Sequence, residues 1–585
     1  MPRFTVPPNF IGTQGSDTLV REELNASVAI GIDVLTGGFI CTRSGKDTIR
    51  GNGTGSKGRD GAIGKNVNGS KGAAGIGISN NGNLNAGSGD DTIIGKGIGG
   101  NGGDGISSDV FGTLGGNGGT GGTGIGIHNI GIFNTGLGND NIISNGTGGN
   151  GGDGGFGGGF GNDGFGGGGG AGNGISNSGR LNTGGGNDAI TGTGIGGIGG
   201  DGLGGGNGGA GTGIANSGKL NTGDGNDTIT GTGQGGTGGF GRLGGEGGFG
   251  TGISNTGQLD TGDGNDKITG TGIGGVGGDG LGPSSDGAAT GISNNGNLNT
   301  GDGNDKITGT GIGGVGDGFG FYGAGTGISN NGNLNTGDGN DTITGTGTGD
   351  RSDINAVVVT VTGITNSKKL DTGDGEDTII GTGTGSGGFD SNGTGIQNMK
   401  GATITTGQGN DTITGSGNAS AAQNPIAYGI SNDGVIDTGN GYDILTGKAT
   451  ATTDPDVPSQ FIDAIAYGIY GKGTIKTGDG NDKITATTTI NEVQQKVSIG
   501  GGIKIALGAG DDYFKGFGEA SADGGDGFDT LDLRAFNRSE LIVSNLISGN
   551  TVKSANFTFN NENPITLSTS GFEKFIFADS SITLA

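Results

Sequence analysis

An aspartate returns inside one short phrase along almost the whole chain, and that return limits what the chain can fold into. The phrase, with variants, is G-x-G-x-D-x-I; one copy reads "NTGDGNDTITGTG" over residues 221–233. Its aspartate falls at Asp47, Asp91, Asp140, Asp188, Asp227, Asp266, Asp305, Asp341, Asp377, Asp411, Asp443, Asp482 and Asp512. Steps between copies run from 30 to 49 residues, with three successive steps of 39 from Asp188 to Asp305. Asp17 in "GTQGSDTLV" and Asp529 in "GGDGFDTLD" read as end copies. Insertions change the spacer and leave the phrase intact, which is what a stack of repeated coils tolerates.

Each unit has three parts. One is "TGISNNGNLNT" (290–300), the next is "GDGNDKITGTG" (301–311), and the last is a glycine-rich spacer of variable length. In "NLNT" and "KIT" one apolar residue sits between polar ones, the period-2 mark of a short half-buried strand. "SNNG" and "GDGND" are turn chemistry, because Gly and Asn tolerate positive φ. Strand, turn, strand, turn, strand makes one coil. A single coil cannot bury its own aliphatic residues, but stacking buries them as ladders such as Ile229, Ile268, Ile307 and Ile343. The predicted fold is all-β: a right-handed parallel β-helix or β-roll solenoid of about thirteen coils, one for each aspartate phrase from Asp47 to Asp512. Residues 29–518 are assigned to it, 1–28 to an entry segment and 519–585 to a C-terminal cap.

A large oily core is excluded. The 585 residues include 160 glycines, only 28% are hydrophobic, and the formal net charge is -26. Low hydrophobicity with high net charge is otherwise a signature of disorder. The spacers, such as "GGNGGDGGFGGGFGNDGFGGGGG" (148–170), admit two readings. They are loose loops, or they align coil on coil as extended polyproline-II-like strands that pair with neighbours. Their shared place in every coil favours the second.

Stacking also creates an electrostatic difficulty. Coils about 4.8 Å apart put the motif aspartates in one column. Two bare carboxylates at that spacing repel by about 3 kcal/mol at an effective dielectric near 20. The column therefore requires protons or cations. Hard oxygen donors, from carboxylates and from turn carbonyls that glycine leaves accessible, select Ca²⁺ over Mg²⁺, which demands a tight octahedron.

"TGDGNDTIT" resembles the RTX, or haemolysin-type, calcium-binding nonapeptide G-G-x-G-x-D-x-U-x. Thr222 and Gly223 stand at its first two glycines, Gly225 at the third, Asp227 at the ligand and Ile229 at the aliphatic. The resemblance implies calcium ligands at Asp91, Asp140, Asp188, Asp227, Asp266, Asp305, Asp341, Asp377, Asp411, Asp443, Asp482, Asp512 and Asp529. Asp47 fits less well, with Lys46 beside it. In that family the nonapeptides follow one another directly and give two calcium columns. Here one copy occurs per coil, and the opposite turn carries Asn80, Asn177, Asn216, Asn255, Asn294 and Asn330. One calcium column facing a neutral asparagine ladder is therefore expected.

From about Glu519 the chain becomes richer in aliphatic and aromatic residues, as in "LIVSNLI" and "FEKFIFADSSITLA". This reads as a β cap, and is similar to the C-terminal region of RTX proteins exported by type I secretion. "MPRFTVPPNF" has no apolar h-region, so export without an N-terminal signal peptide is the expectation. No run of 18 apolar residues exists to span a membrane. Acidity argues against nucleic acid as a partner. Cys41 is the lone cysteine, and His128 fills the slot that Ser176 occupies in another coil, a substitution rather than a general base. No segment has the composition of a separate catalytic domain, so no enzyme activity is expected.

The long "TGxGNDxITG" repeats with the "GFDTLDL…FEKFIFAD" tail resemble oscillin-like surface fibril proteins of filamentous cyanobacteria. That resemblance implies a secreted, calcium-dependent cell-surface protein that assembles with itself into a fibril, sheath or S-layer, with surface polysaccharide as a further partner. The alternative is an adhesin that binds glycan or ice through outward threonines such as Thr230, Thr269, Thr308 and Thr344.

Overall fold

Three short strands per coil follow from the sequence of each repeat, and a computed structural model of the chain shows how they stack. It describes residues 3–62, 68–108, 113–157, 163–282, 284–315, 323–349, 359–455, 463–547, 554–560 and 563–583. Among these there is no α-helix, and no helix long and apolar enough to cross a membrane. The fold is a parallel β-solenoid, divided into two compact units: Met1–Gly301 with Lys306–Ile328 and Thr348–Val359, and Asp302–Asp305 with Ser329–Gly347 and Thr360–Ala585.

In the first unit a typical coil runs through Gly211–Asn216, Lys219–Asn221 and Thr228–Gln234. Each strand pairs in parallel, in register, with its counterpart in the next coil. Ile229 pairs with Ile268 and Ile268 with Ile307, three successive rungs of the expected ladder. Residues 4–26, at the start of the chain, already supply the three strands of a coil, paired in parallel with Val28–Val34, Phe39–Cys41 and Thr48–Gly55.

In this typical coil the core is one aliphatic side chain per strand. Ile214, Leu220 and Ile229 are fully buried, and the other inward positions of the third strand are Gly231 and Gly233. A Cβ added to Gly231 would lie 2.4 Å from the Gly252 carbonyl oxygen. The facing sheets are therefore in backbone contact wherever glycine points inward, and hydrogen-bonded backbone replaces an oily core.

Where described, the long spacers of the first unit are extended segments whose hydrogen bonds repeat every three residues, the period of polyproline-II-type chains. In residues 148–153, read as Gly-Gly-X twice, each N–H has its own destination. Gly148 and Gly151 donate to Ile195 and Ile198 of the next coil, both at 2.8 Å. Gly149 and Gly152 donate to Gly122 and Gly119 on the returning spacer strand of the previous coil, also at 2.8 Å. Asn150 and Asp153 donate to the side-chain oxygens of Asn101 and Asp104 at 3.0 Å. A Cβ on Gly148 or Gly151 would sit 1.8 Å from a neighbouring carbonyl oxygen. Two residues in three must be glycine for steric reasons, and the third carries an exposed side chain whose oxygen can accept an N–H of the next coil, as Asn150 does from Ile198 and Asp153 from Asp201.

The second unit shows what happens where the spacer shortens. Thr412–Ala421 and Asn424–Asn432 are long strands joined by a brief turn. Inward glycines give way to alanine: Gly417 pairs with Ala449, and Ala419 with Ala451, within a small buried alanine cluster. Beyond them Phe514, Leu531 and Phe575 extend the ladder. An antiparallel set, Leu541–Ile547, Ser554–Phe559 and Ile565–Ser570, lies within the region read as the cap.

Candidate metal site

The turn before most third strands is made by two glycines whose backbone other residues rarely adopt; before Asp47 the first of the two is Arg43, at φ 78°. Gly223 and Gly225 have φ of 90° and 138°. A Cβ on Gly223 would meet the Gly184 oxygen of the previous coil at 1.5 Å. This close stacking turns the aspartate inward, and Asp227 is only 1% exposed.

The aspartates then wire coil to coil. In the first unit the Asp17 N–H donates to Asp47 Oδ1, Asp47 to Asp91, Asp91 to Asp140, Asp140 to Asp188, Asp188 to Asp227 and Asp227 to Asp266, at 2.7–2.8 Å. In the second unit the same chain runs from Asp305 through Asp341, Asp377, Asp411, Asp443, Asp482 and Asp512 to Asp529, at 2.7–2.9 Å. Every aspartate named from the sequence thus lies in such a run within one unit or the other, and Asp47 is a full member. Asp17 contributes its N–H, but its carboxylate turns back to the Thr13 N–H at 2.6 Å. Glu573 extends the second column by accepting the Asp529 N–H at 2.7 Å. Sequence reading missed it because "SGFEKF" lacks the aspartate phrase. Its one signal is the preceding Gly571, held at φ 75°.

The wiring uses one oxygen of each carboxylate. The second, Oδ2, is buried without a hydrogen-bond partner in Asp47, Asp91, Asp140, Asp188 and Asp227, and in Asp341, Asp377, Asp411, Asp443, Asp482, Asp512 and Asp529. Beside Asp188 and Asp227 stand the hydroxyls of Thr183 and Thr222. Each hydroxyl has one proton, and each lies 3.2 Å from a carbonyl of the next coil that competes for it. Burial drives Asp140, Asp188, Asp227 and Asp443 above the ordinary carboxylate range, against the pull of their hydrogen bonds. Asp91, Asp377, Asp482 and Asp529 are pushed up to about 7, and Asp341, Asp411 and Asp512 to about 6. Neighbouring column carboxylates add to the rise in Asp91 and Asp377.

A buried column with one uncommitted anionic oxygen per coil calls for a proton or a cation, and its donors are all hard oxygens, which fit Ca²⁺. The turn carbonyls are less available than the sequence suggests. Asp188 O accepts the Thr228 N–H at 2.8 Å, and Asp263 O accepts the Gly225 N–H at 2.9 Å. Among the described residues no three acidic, imidazole or thiol groups converge. A bound cation would therefore draw on successive coils: Oδ2 atoms, the adjacent threonine hydroxyls and the remaining turn oxygens.

The opposite edge carries a neutral ladder. Asn80 Nδ2 donates to Asn129 Oδ1, Asn129 to Asn177, Asn177 to Asn216, Asn216 to Asn255 and Asn255 to Asn294, at 2.7–2.9 Å. The same amide also donates to a backbone carbonyl of the next coil, as Asn177 does to Lys219 O at 3.0 Å. In the second unit Asn330, Asn366, Asn398 and Asn432 repeat the pattern. His128 lies in register with Ser79 and Ser176, and burial lowers its pKa.

Comparison of the chain with protein-family models, with curated proteins and with solved structures returns no match.

Proposed function

We propose that the chain is a secreted, calcium-dependent structural protein of the cell surface, one that assembles with itself and has surface polysaccharide as a partner. The observation that carries this reading is the uncommitted, buried Oδ2 repeated coil after coil. Unpaired anionic oxygens at that density oppose stacking, and a cation that binds only the stacked form favours folding by mass action. An acidic chain with little hydrophobic surface stays unfolded where calcium is scarce and folds where it is plentiful, which suits export as an unfolded chain.

Self-assembly has a separate support. Large apolar side chains stand exposed on the spacers, Phe156 at 74%, Phe240 at 61% and Leu281 at 88%, and with Leu203 they border a cleft of about 590 Å³. Contiguous exposed apolar surface of this kind marks association sites. The threonine-array alternative is less well supported, because Thr269 Oγ1 is buried and Lys267 and Lys306 interrupt the neighbouring outward column.

Circular dichroism during a calcium titration, reversed with EGTA, tests the reading. Strand signal should rise with calcium and fall on chelation. A spectrum indifferent to both would remove calcium from the proposal.

A further inference from the structure

A cavity of about 450 Å³ opens in the second unit, away from the aspartate column. Its volume lies within the range of small-ligand sites, about 300–1,000 Å³. Its lining is unusual for a chain of net charge -26, because three cations, Lys496, Lys515 and Arg534, meet there with a single acid, Asp532.

That acid is already committed. The Asp532 side chain is fully buried and takes Arg534 Nε at 3.0 Å and Nη2 at 2.6 Å. Tyr513 donates its hydroxyl to the same carboxylate, and Arg534 Nη2 reaches the Tyr513 oxygen at 3.2 Å. This fixes the guanidinium plane and leaves its Nη1 edge without a hydrogen bond among the described residues, the oriented fork that recognises planar oxyanions. Lys515 pairs in register with Asp532, yet makes no ion pair among the described residues, since Arg534 occupies the carboxylate. Lys496 is bound to Glu540 and lies over the Phe536 ring, which holds its ammonium at the rim. The lining also holds neutral hydrogen-bonding groups, with Thr487 and Gln494 making no side-chain bond to the protein among the described residues.

A bare inorganic ion does not need a cavity of this size or these neutral groups. A ligand rich in hydroxyls that also carries carboxylate or sulfate uses both. We propose that this cavity binds an acidic saccharide through Arg534 and Lys515, with Lys496 at the rim. The inference rests on the part of the function reading that gives the chain a polysaccharide partner. It is independent of the calcium and assembly parts, since no aspartate of the column lines the cavity.

The test is calorimetric titration of the full chain in calcium with trigalacturonate, with a heparin-derived tetrasaccharide and with neutral maltotriose. At least one acidic oligosaccharide should bind and maltotriose should not, and binding should weaken as NaCl rises. Lys515→Ala should lower affinity about tenfold or more. Lys515→Glu should abolish binding with an unchanged circular dichroism spectrum, and Lys306→Ala, outside the cavity, should bind as the parent does. The carboxylate and sulfate arms distinguish the anion. Binding of neither acid, equal binding of maltotriose, or full binding by both Lys515 variants would overturn the site. The last outcome, if lost in EGTA, would identify calcium bridging at the turns instead. Calcium-driven folding and scattering are read separately, so failure here leaves those parts of the function reading standing.

Discussion

Each motif aspartate has two jobs, and its two oxygens separate them. Oδ1 accepts a backbone N–H from the coil before it, a role that needs no charge. Oδ2 carries the unbalanced charge. Asp188→Asn keeps the acceptor and offers an amide to the lone pairs of the Thr183 hydroxyl, whose proton goes to Thr222 O at 3.2 Å. Asp188→Ala removes both and leaves the buried Asp140 N–H unpaired, at a cost of about 1–3 kcal/mol. In EGTA at pH 8, Asp188→Asn should therefore retain more strand signal than the parent and Asp188→Ala less, while both reduce the calcium bound at equilibrium. Equal destabilisation by the two would mean that Oδ2 carries no uncompensated charge. The pH dependence follows from the same oxygen. Column members such as Asp91 and Asp482 are raised to about 7 in the folded chain, against about 3.9 when unfolded. The folded state then holds more protons between those values. Its proton-linked stability is complete below about pH 4 and is lost as pH rises through about 7. Strand signal in EGTA should fall from pH 5 to pH 8, and calcium should restore it at pH 8. A flat profile in EGTA would contradict the buried, raised carboxylates.

The spacers are where glycine count becomes structure. In a Gly-Gly-X strand one glycine N–H points along the stack, the next crosses to the returning strand, and the X position uses its neighbour's side chain. Gly152→Ala would set a Cβ 2.1 Å from Gly103 O, with backbone on the other side and nothing able to rotate away. It should cost about 1–3 kcal/mol or more and speed amide exchange in adjacent spacers. Phe156→Ser, on an exposed X residue, should leave the melting temperature unchanged. Similar losses for both would mean that the spacers contribute no packing. Much of this architecture was legible in the sequence. The fixed aspartate, Ile229 and its counterparts, and Asn177 and its counterparts each repeat at one place in the unit, so their columns follow from stacking alone. The route of each glycine N–H was not legible, because glycine has no side chain to mark its neighbours and spacer lengths differ between coils. The inward turn of Asp227 was hidden for a related reason. It depends on how closely Gly223 approaches Gly184 O, a distance set by coil spacing rather than by residue type. Glu573 entered its column with a longer side chain from a different phrase.

A chain carrying a net charge of -26 resists association with its own copies, whatever apolar surface it displays. Cations taken into the aspartate columns reduce that charge without covering Phe156, Phe240 or Leu281, so calcium should have two separable effects. The first is folding, read by circular dichroism. The second is association through the spacer surface, read by light scattering and electron microscopy at a concentration of folded protein held constant. The triple variant Phe156→Ser, Phe240→Ser, Leu281→Ser should fold with calcium as the parent does, since none of the three side chains is buried. Its calcium-induced scattering should drop several-fold, and filaments or sheets should be absent from its micrographs. Raising NaCl in place of calcium should screen repulsion between copies but leave the columns uncompensated, so association should not follow from salt alone. Undiminished scattering by the triple variant would move the contact away from the spacers. Parent protein that stays monomeric at every calcium concentration, while its strand signal still responds, would separate the calcium-folding property from any role as a polymer.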